Sequence, residues 1–235
     1  MKMKTAILIA TTMVITTLSL SSCVNKSAEA EQAIDPANAP WIVDRFDDIK
    51  VLRYEVPGFE KLPLNQKLLV YYLAQASKCG RDILFDQNFK YNLAIRRTLA
   101  QIYTNYDGDR EAAEFKAMEK YLKKVWFANG IHHHYSNDKF KPEFPMEWFM
   151  EQIDKYVKEP QADKDLLRHV IFKDDLFAVR LNQTDGVDMV VASACNYYEG
   201  IKMEEVEKFY ADMVDENDPR PISYGLNSKL VKEPN

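Results

Sequence analysis

Glycine is scarce: 235 residues contain seven. Neither GxGxxG nor a GxxxxGKS/GxxxxGKT run occurs, which excludes phosphate cradles built on Gly-rich turns. Cysteine is scarcer, at three, and no CxxC is present, so zinc ribbons and thioredoxin motifs are out. An excess of positive charge is also missing. Lys+Arg is 31 against Asp+Glu 36, a formal net charge of −5, and a mildly acidic chain is a poor nucleic-acid binder. No GxSxG elbow and no HExxH helix is found. What is present suits a globular protein. Apolar residues make up 46% and charged residues 29%, which excludes a wholly disordered polymer, collagen and a multi-span membrane protein. With 13 Tyr, 12 Phe and 3 Trp, a core can rest largely on aromatic packing.

The N-terminus reads as an address. Lys2 and Lys4 form a short positive region, and Thr5 to Leu20 is an uncharged apolar and Thr/Ser run. That run is too short and too hydroxyl-rich for a spanning helix of ~20 apolar residues. It ends in Leu20-Ser21-Ser22-Cys23, a lipobox pattern in which Cys23 is acylated and becomes the new N-terminus. The alternative is an ordinary cleaved signal with a chance cysteine. Residues 24–40 are small, polar and Pro-marked, and read as a flexible tether. The remaining thiols, Cys79 and Cys195, either pair in an oxidising envelope or stay independently buried.

From about Trp41 onward the pattern is globular. Asp48 to Glu55 is β-branched and aromatic and predicts a short strand ended by Val56-Pro57-Gly58. A helix is expected from about Asn65 to Gly80, with Leu68, Leu69, Tyr72, Leu73 and Ala76 as its buried stripe. Two further helices follow. One covers Tyr91 to Tyr106, with Ile95, Leu99 and Ile102, and the other about Arg110 to Asn129, with Phe115, Met118, Leu122, Val125 and Trp126. Asp107-Gly108-Asp109 is a turn and Asn129-Gly130 a helix stop. Ile131 to Pro145 is a loop rich in His and aromatics, and Pro145 opens a helix carrying Phe149, Ile153 and Val157. Lys158 to Asp165 is a charged connection, and Val187 to Ser193 alternates as a strand after the turn-like Asn182 to Gly186. Met203, Val206, Phe209, Tyr210 and Met213 line a last helix. The apolar stripes are read as core. The fold class is therefore α+β, mainly helical with a few short strands.

Chemistry-bearing residues are few. His132-His133-His134 holds three of the four histidines. On an extended segment His132 and His134 share a face and offer two metal ligands, with a third required from elsewhere. Cys195 as a nucleophile needs an electropositive setting and a His partner. The acidic pairs Asp47-Asp48, Asp174-Asp175 and Glu204-Glu205 read as solvated surface.

Four longer words carry a resemblance: ILFDQNFKY (83–91), IYTNYDG (102–108), YLKKVWFANGIHHHYSNDKF (121–140) and SYGLNSKLVKE (223–233). In this order they closely resemble the N-terminal part of the dipeptidyl peptidase III family of Bacteroides-type bacteria, and the likeness runs from about Val43 to Glu233. Eukaryotic relatives echo it with phrases like NYKSFGDTKF and SAYNTRLFK. The resemblance implies a zinc metallo-exopeptidase that removes dipeptides from the free N-terminus of short peptides. It also implies two lobes around a wide cleft, one holding the zinc. The family's zinc motif is HExxGH with a further Glu ligand, and the Glu within it acts as general base on zinc-bound water.

This chain contains neither HExxGH nor the family's later IESY phrase. The expectation is thus the N-terminal, cleft-forming portion of such an enzyme, part of the lobe that does not hold zinc. No catalytic residue and no cofactor are assigned to these residues, zinc belonging to the complete family protein. The resemblance assigns substrate contact to Tyr135, with His134 beside it; the alternative is a loop aromatic packed against the preceding helix. Implied partners are short peptides, the membrane through a lipid anchor at the cell envelope, and a separate C-terminal catalytic part if the protein is split, but not nucleic acid. The alternative is a non-catalytic envelope lipoprotein that binds peptides or a protein partner. A third possibility uses His132 and His134 to bind metal.

Overall fold

The computed structural model describes residues 41–158, 160, 162–218 and 228–233. The expected signal segment 1–23 with Cys23, the expected tether 24–40 and residues 223–227 lie outside them. The chain is α+β, dominated by helices, with two small two-stranded sheets among the described residues. No helix among the described residues is long and apolar enough to cross a membrane.

The first strand pair is an antiparallel hairpin, β1 (Ile42–Phe46) and β2 (Ile49–Leu52), turned at Asp47 with φ 52°. The single strand expected over 48–55 is therefore the second half of a hairpin. It stops at Leu52, and Tyr54 and Val56 beyond it are exposed. Two helices follow with only Gly80 between them: α1 (Leu64–Cys79) and α2 (Arg81–Asn88). The second was not foreseen, because Gly80 reads as an end; here its φ of −76° and ψ of −6° keep the chain turning helically.

The central layer is α3 (Asn92–Asn105), packed against α2, against α4 (Ala113–Ala128) and against α5 (Met146–Tyr156). α5 in turn packs on α6 (Lys164–Phe172). Periodicity placed α3, α4 and α5 well. Ile95, Leu99 and Ile102 meet Phe115, Met118, Leu122 and Val125, with Phe149, Leu167 and Val170, in one buried cluster. Rings are frequent in it, as the composition suggested: Tyr106 stacks on Phe115 at 4.5 Å and Phe144 meets Phe149 at 5.3 Å. α6 begins at the end of the charged connection 158–165 and was not foreseen, although Asp163 caps it by accepting the Leu166 N–H at 3.0 Å.

Three expectations are corrected. The α1 stripe is not core: none of its residues is buried, and Leu68, Leu69, Tyr72 and Leu73 are all exposed. The expected strand at 187–193 is instead a short helix, α7 (Met189–Ala192). Asp188 starts it by accepting the N–H groups of Val190 and Val191, a side-chain cap that overrides the β preference of the valines. On the last described helix, α8 (Met203–Ala211), only Val206 is buried and Phe209 is exposed, while Met213 lies beyond its end and is exposed too. A parallel pairing of β3 (Tyr198–Glu199) with β4 (Leu230–Val231) completes the described chain.

Candidate functional site

The His-rich loop begins where α4 stops. Asn129 ends the helix in the left-handed region at φ 54°, and Gly130 follows at φ 152°. A β-carbon on Gly130 would fall 2.1 Å from Asn92 Nδ2, so the position requires glycine. Asn92 is fully buried at the start of α3. Its Nδ2 donates to the Phe85 carbonyl at 3.1 Å, and its Oδ1 accepts the Ile131 N–H at 3.1 Å. One amide thereby ties α2 and α3 to the first residue of the loop.

The loop then doubles back on itself. Phe140 N–H donates to Ile131 O at 2.8 Å and His133 N–H to Asp138 O at 2.7 Å. Asn137, at φ 66°, makes the turn. The outer limb is joined by residues 178–180, through Lys139 N–H to Ala178 O at 2.9 Å and Arg180 N–H to Asn137 O at 2.8 Å. Ala194 and Cys195 donate in turn to Val179 O and Arg180 O, both at 3.1 Å. The Lys139 ammonium reaches the carbonyls of Val170, Lys173 and Leu176, covering the end of α6. Burial draws its pKa below the usual lysine value, with Asp174 and Asp175 opposing.

The three histidines take three environments. His132 is 2% exposed and its Nε2–H donates to the Phe177 carbonyl at 2.8 Å. A carbonyl partner requires the proton on Nε2, which leaves Nδ1 bare, buried and without a partner among the described residues. Burial pushes the His132 pKa down to about 4, so the ring is neutral at pH 7. His133 Nδ1 accepts the N–H groups of Tyr135 and Ser136 at 3.2 and 3.1 Å and fixes the tip of the loop. His134 lies edge-on to Phe127 of α4, with ring centroids 4.9 Å apart. Burial lowers its pKa, the neighbouring His133 adds to this, and Asp48 opposes.

Tyr135 sits over His134 at 4.2 Å and is 82% exposed. The loop aromatic thus does not pack against the preceding helix; His134 does, and carries Tyr135 on its outer face. The series continues inward from Phe127 to Phe46 of β1 at 6.4 Å. Phe46 and Phe127 line a groove of about 390 Å3, with Arg81, Trp126, Asp44 and Lys123 among its other walls. Arg81 donates to the Trp126 carbonyl at 2.7 Å. Lys123 meets Asp44 at 2.9 Å and holds that carboxyl below its usual range, partly opposed by desolvation. The resemblance points to Tyr135 and His134 but not to this groove, because neither β1 nor the start of α2 is legible in the sequence pattern; the aromatic Phe46 is the available signal.

The sequence offers His132 and His134 as a pair of metal ligands. The structure sends the two side chains to different places: His132 into the core against Phe89, His134 onto Phe127. Among the described residues no group of three or more His, Cys, Asp or Glu gathers to hold a metal ion. These residues do not fit a zinc centre, and no step is derived through one. Both described thiols are free. Cys79 is exposed, and Cys195 is half-buried with its pKa raised by that burial. The acidic pairs serve the surface: Asp47 meets Lys124 at 2.6 Å and Asp174 meets Lys141 at 3.1 Å.

Neither a scan against protein-family models nor a search of curated proteins found a match to this chain.

Proposed function

We propose that this chain forms one wall of a peptide-binding cleft, as the N-terminal portion of a zinc-dependent dipeptidyl peptidase of the dipeptidyl peptidase III type. It is held at the cell envelope through a lipid on Cys23, and zinc and catalysis are supplied by other polypeptide. The observation that carries this reading is Tyr135: a ring left 82% exposed on a loop tip whose backbone is closely pinned. A rigid, exposed aromatic beside a groove suits side-chain or backbone contact with a short peptide. The reading of a larger two-lobed protein also accounts for α1, which offers an apolar surface with no cover among the described residues.

The test is calorimetric titration of the full chain with an unblocked tetrapeptide of alanine and phenylalanine. Replacing Tyr135 by Ala is expected to weaken binding about tenfold, a loss of ~1.4 kcal/mol, while Tyr135→Phe retains it. The isolated chain is expected to release no dipeptide from a dipeptidyl naphthylamide, with or without zinc. Absence of peptide binding, or equal binding by Tyr135→Ala, overturns the assignment of Tyr135. Zinc-dependent turnover overturns the placement of catalysis elsewhere.

A further inference from the structure

A second concavity, of about 480 Å3, opens between α7, β3 and the start of α8. Its size lies within the ~300–1,000 Å3 usual for small-molecule sites. Phe89 and Phe177, with ring centroids 4.8 Å apart, line it together with Val190 and Val191. They give it an apolar body. The Cys195 thiol belongs to the same wall.

The charges around this cavity are unevenly committed. Glu199 is paired with Lys229, and Glu205 is paired with Lys232 while also accepting the Lys202 N–H at 3.0 Å. Asp188, close enough to Lys202 to feel its charge, accepts three backbone N–H groups, from Val190, Val191 and Met203. Each nearby acid is thus occupied. The ammonium groups of Lys90 and Lys202, both on the cavity lining, form no ion pair among the described residues. Lys90 lies over the face of Tyr91, at 5.0 Å, and is close enough to Glu199 to feel its charge, but Glu199 is paired with Lys229. An apolar chamber bordered by two ammonium groups that form no ion pair among the described residues, beside carboxylates already committed to other partners, is complementary to one kind of guest.

We propose that this cavity binds small carboxylic acids with an apolar body, the carboxylate held by Lys90 and Lys202 and the body against Phe177, which is backed by the buried Phe89, and the two valines. The site is separate from Tyr135 and does not depend on the peptidase reading.

Cys195 supplies a built-in reporter. In the full chain with Cys23→Ser and Cys79→Ser, Cys195 is the one thiol left, and its alkylation by uncharged iodoacetamide is followed by mass. The probes are N-acetylphenylalanine and its uncharged amide. At roughly ten times its half-protecting concentration the acid is expected to slow alkylation about tenfold, and the amide to leave it unchanged. In Lys90→Gln/Lys202→Gln, whose replaced groups carry no ion pair, the half-protecting concentration is expected to rise at least about tenfold with the unfolding midpoint unchanged. Calorimetric titration with the same two probes gives the ranking independently of thiol reactivity. Equal protection by the amide, undiminished protection in the double variant, or neither heat nor protection from the acid overturns the proposal.

Discussion

α1 and α4 are helices of the same length, 16 residues each, and both show apolar residues at helical spacing. In α4 that spacing delivers burial: Phe115, Met118, Tyr121, Leu122 and Val125 are all covered. In α1 it delivers none. The difference lies outside the helices themselves. α4 has α3 on one side and the β1 hairpin on another, whereas α1 meets α2 at a single bend. α1 is also apolar over most of its circumference, since Val70 and Tyr71 are exposed beside Leu69 and Tyr72. Helical periodicity states which residues share a face, not whether anything covers that face. An all-round apolar helix is normally a buried one, so α1 is where a reader of sequence is most easily misled.

The sharpest way to break this contrast is to cut equal volumes from the two helices. Leu122→Ala removes a fully buried side chain and is expected to cost about 3 kcal/mol, because the transfer loss is joined by a cavity that α3 and α5 cannot close. Leu69→Ala is expected to change stability by less than about 0.5 kcal/mol. Urea unfolding midpoints at constant m-value measure both. A comparable loss at Leu69 means that α1 is covered in solution.

The histidines offer a second contrast of buried against half-exposed. The His132 pKa is about 4 in the folded chain against 6.5 for the free side chain. Between these values the unfolded chain takes up a proton that the folded chain does not. Stability is therefore complete above about pH 6.5 and falls as the pH drops towards 4. The loss from this group is bounded at about 3–4 kcal/mol, from roughly 1.4 kcal/mol per unit. Asp44, Asp47 and Asp82, whose carboxyls are held low by lysine or arginine partners, add their losses at lower pH. In His132→Gln, whose amide N–H replaces the bond to Phe177, the decline between pH 6.5 and 4 is expected to shrink, while His134→Gln leaves most of it. Unfolding free energies measured across that pH window decide between them, and an unchanged slope in His132→Gln refutes the assignment.

These contrasts also mark what was legible in the sequence. α3, α4 and α5 were readable because their stripes are narrow and their ends are signalled, by Asn129-Gly130 and by Pro145. α2 was hidden because a glycine normally ends a helix, and Gly80 here does not interrupt the turn. α7 was misread because valine favours strands, while Asp188 caps a helix from a single side chain. At the site, the words around His132 to Tyr135 drew attention to a loop whose tip does present an exposed Tyr135 over His134. They could not separate His132 from its neighbours, because that depends on Phe177, which lies 45 residues away. Nor could they show the groove, whose walls come from β1, α2 and α4. Contacts distant in sequence decide each of these cases, and local pattern carries little of that information.

The smallest stability effect belongs to the most conspicuous surface. Leu69 and Leu73 lie one helical turn apart, 58% and 60% exposed, and present adjacent apolar side chains to solvent. Replacing both by Lys removes apolar area without opening a cavity, so the unfolding free energy is expected to stay within about 0.5 kcal/mol of the parent. Association is another matter. Contiguous apolar surface drives contact between molecules, and two added charges oppose it. Sedimentation velocity over a concentration series is expected to show less self-association in Leu69→Lys/Leu73→Lys, and binding of a hydrophobic dye is expected to fall in parallel. A loss of several kcal/mol would instead place both side chains under cover in the solution structure, leaving α1 no different in kind from α4. Unchanged stability with unchanged association would locate the adhesive surface away from α1, with the exposed Ile83 and Leu84 of α2 as the next pair to replace.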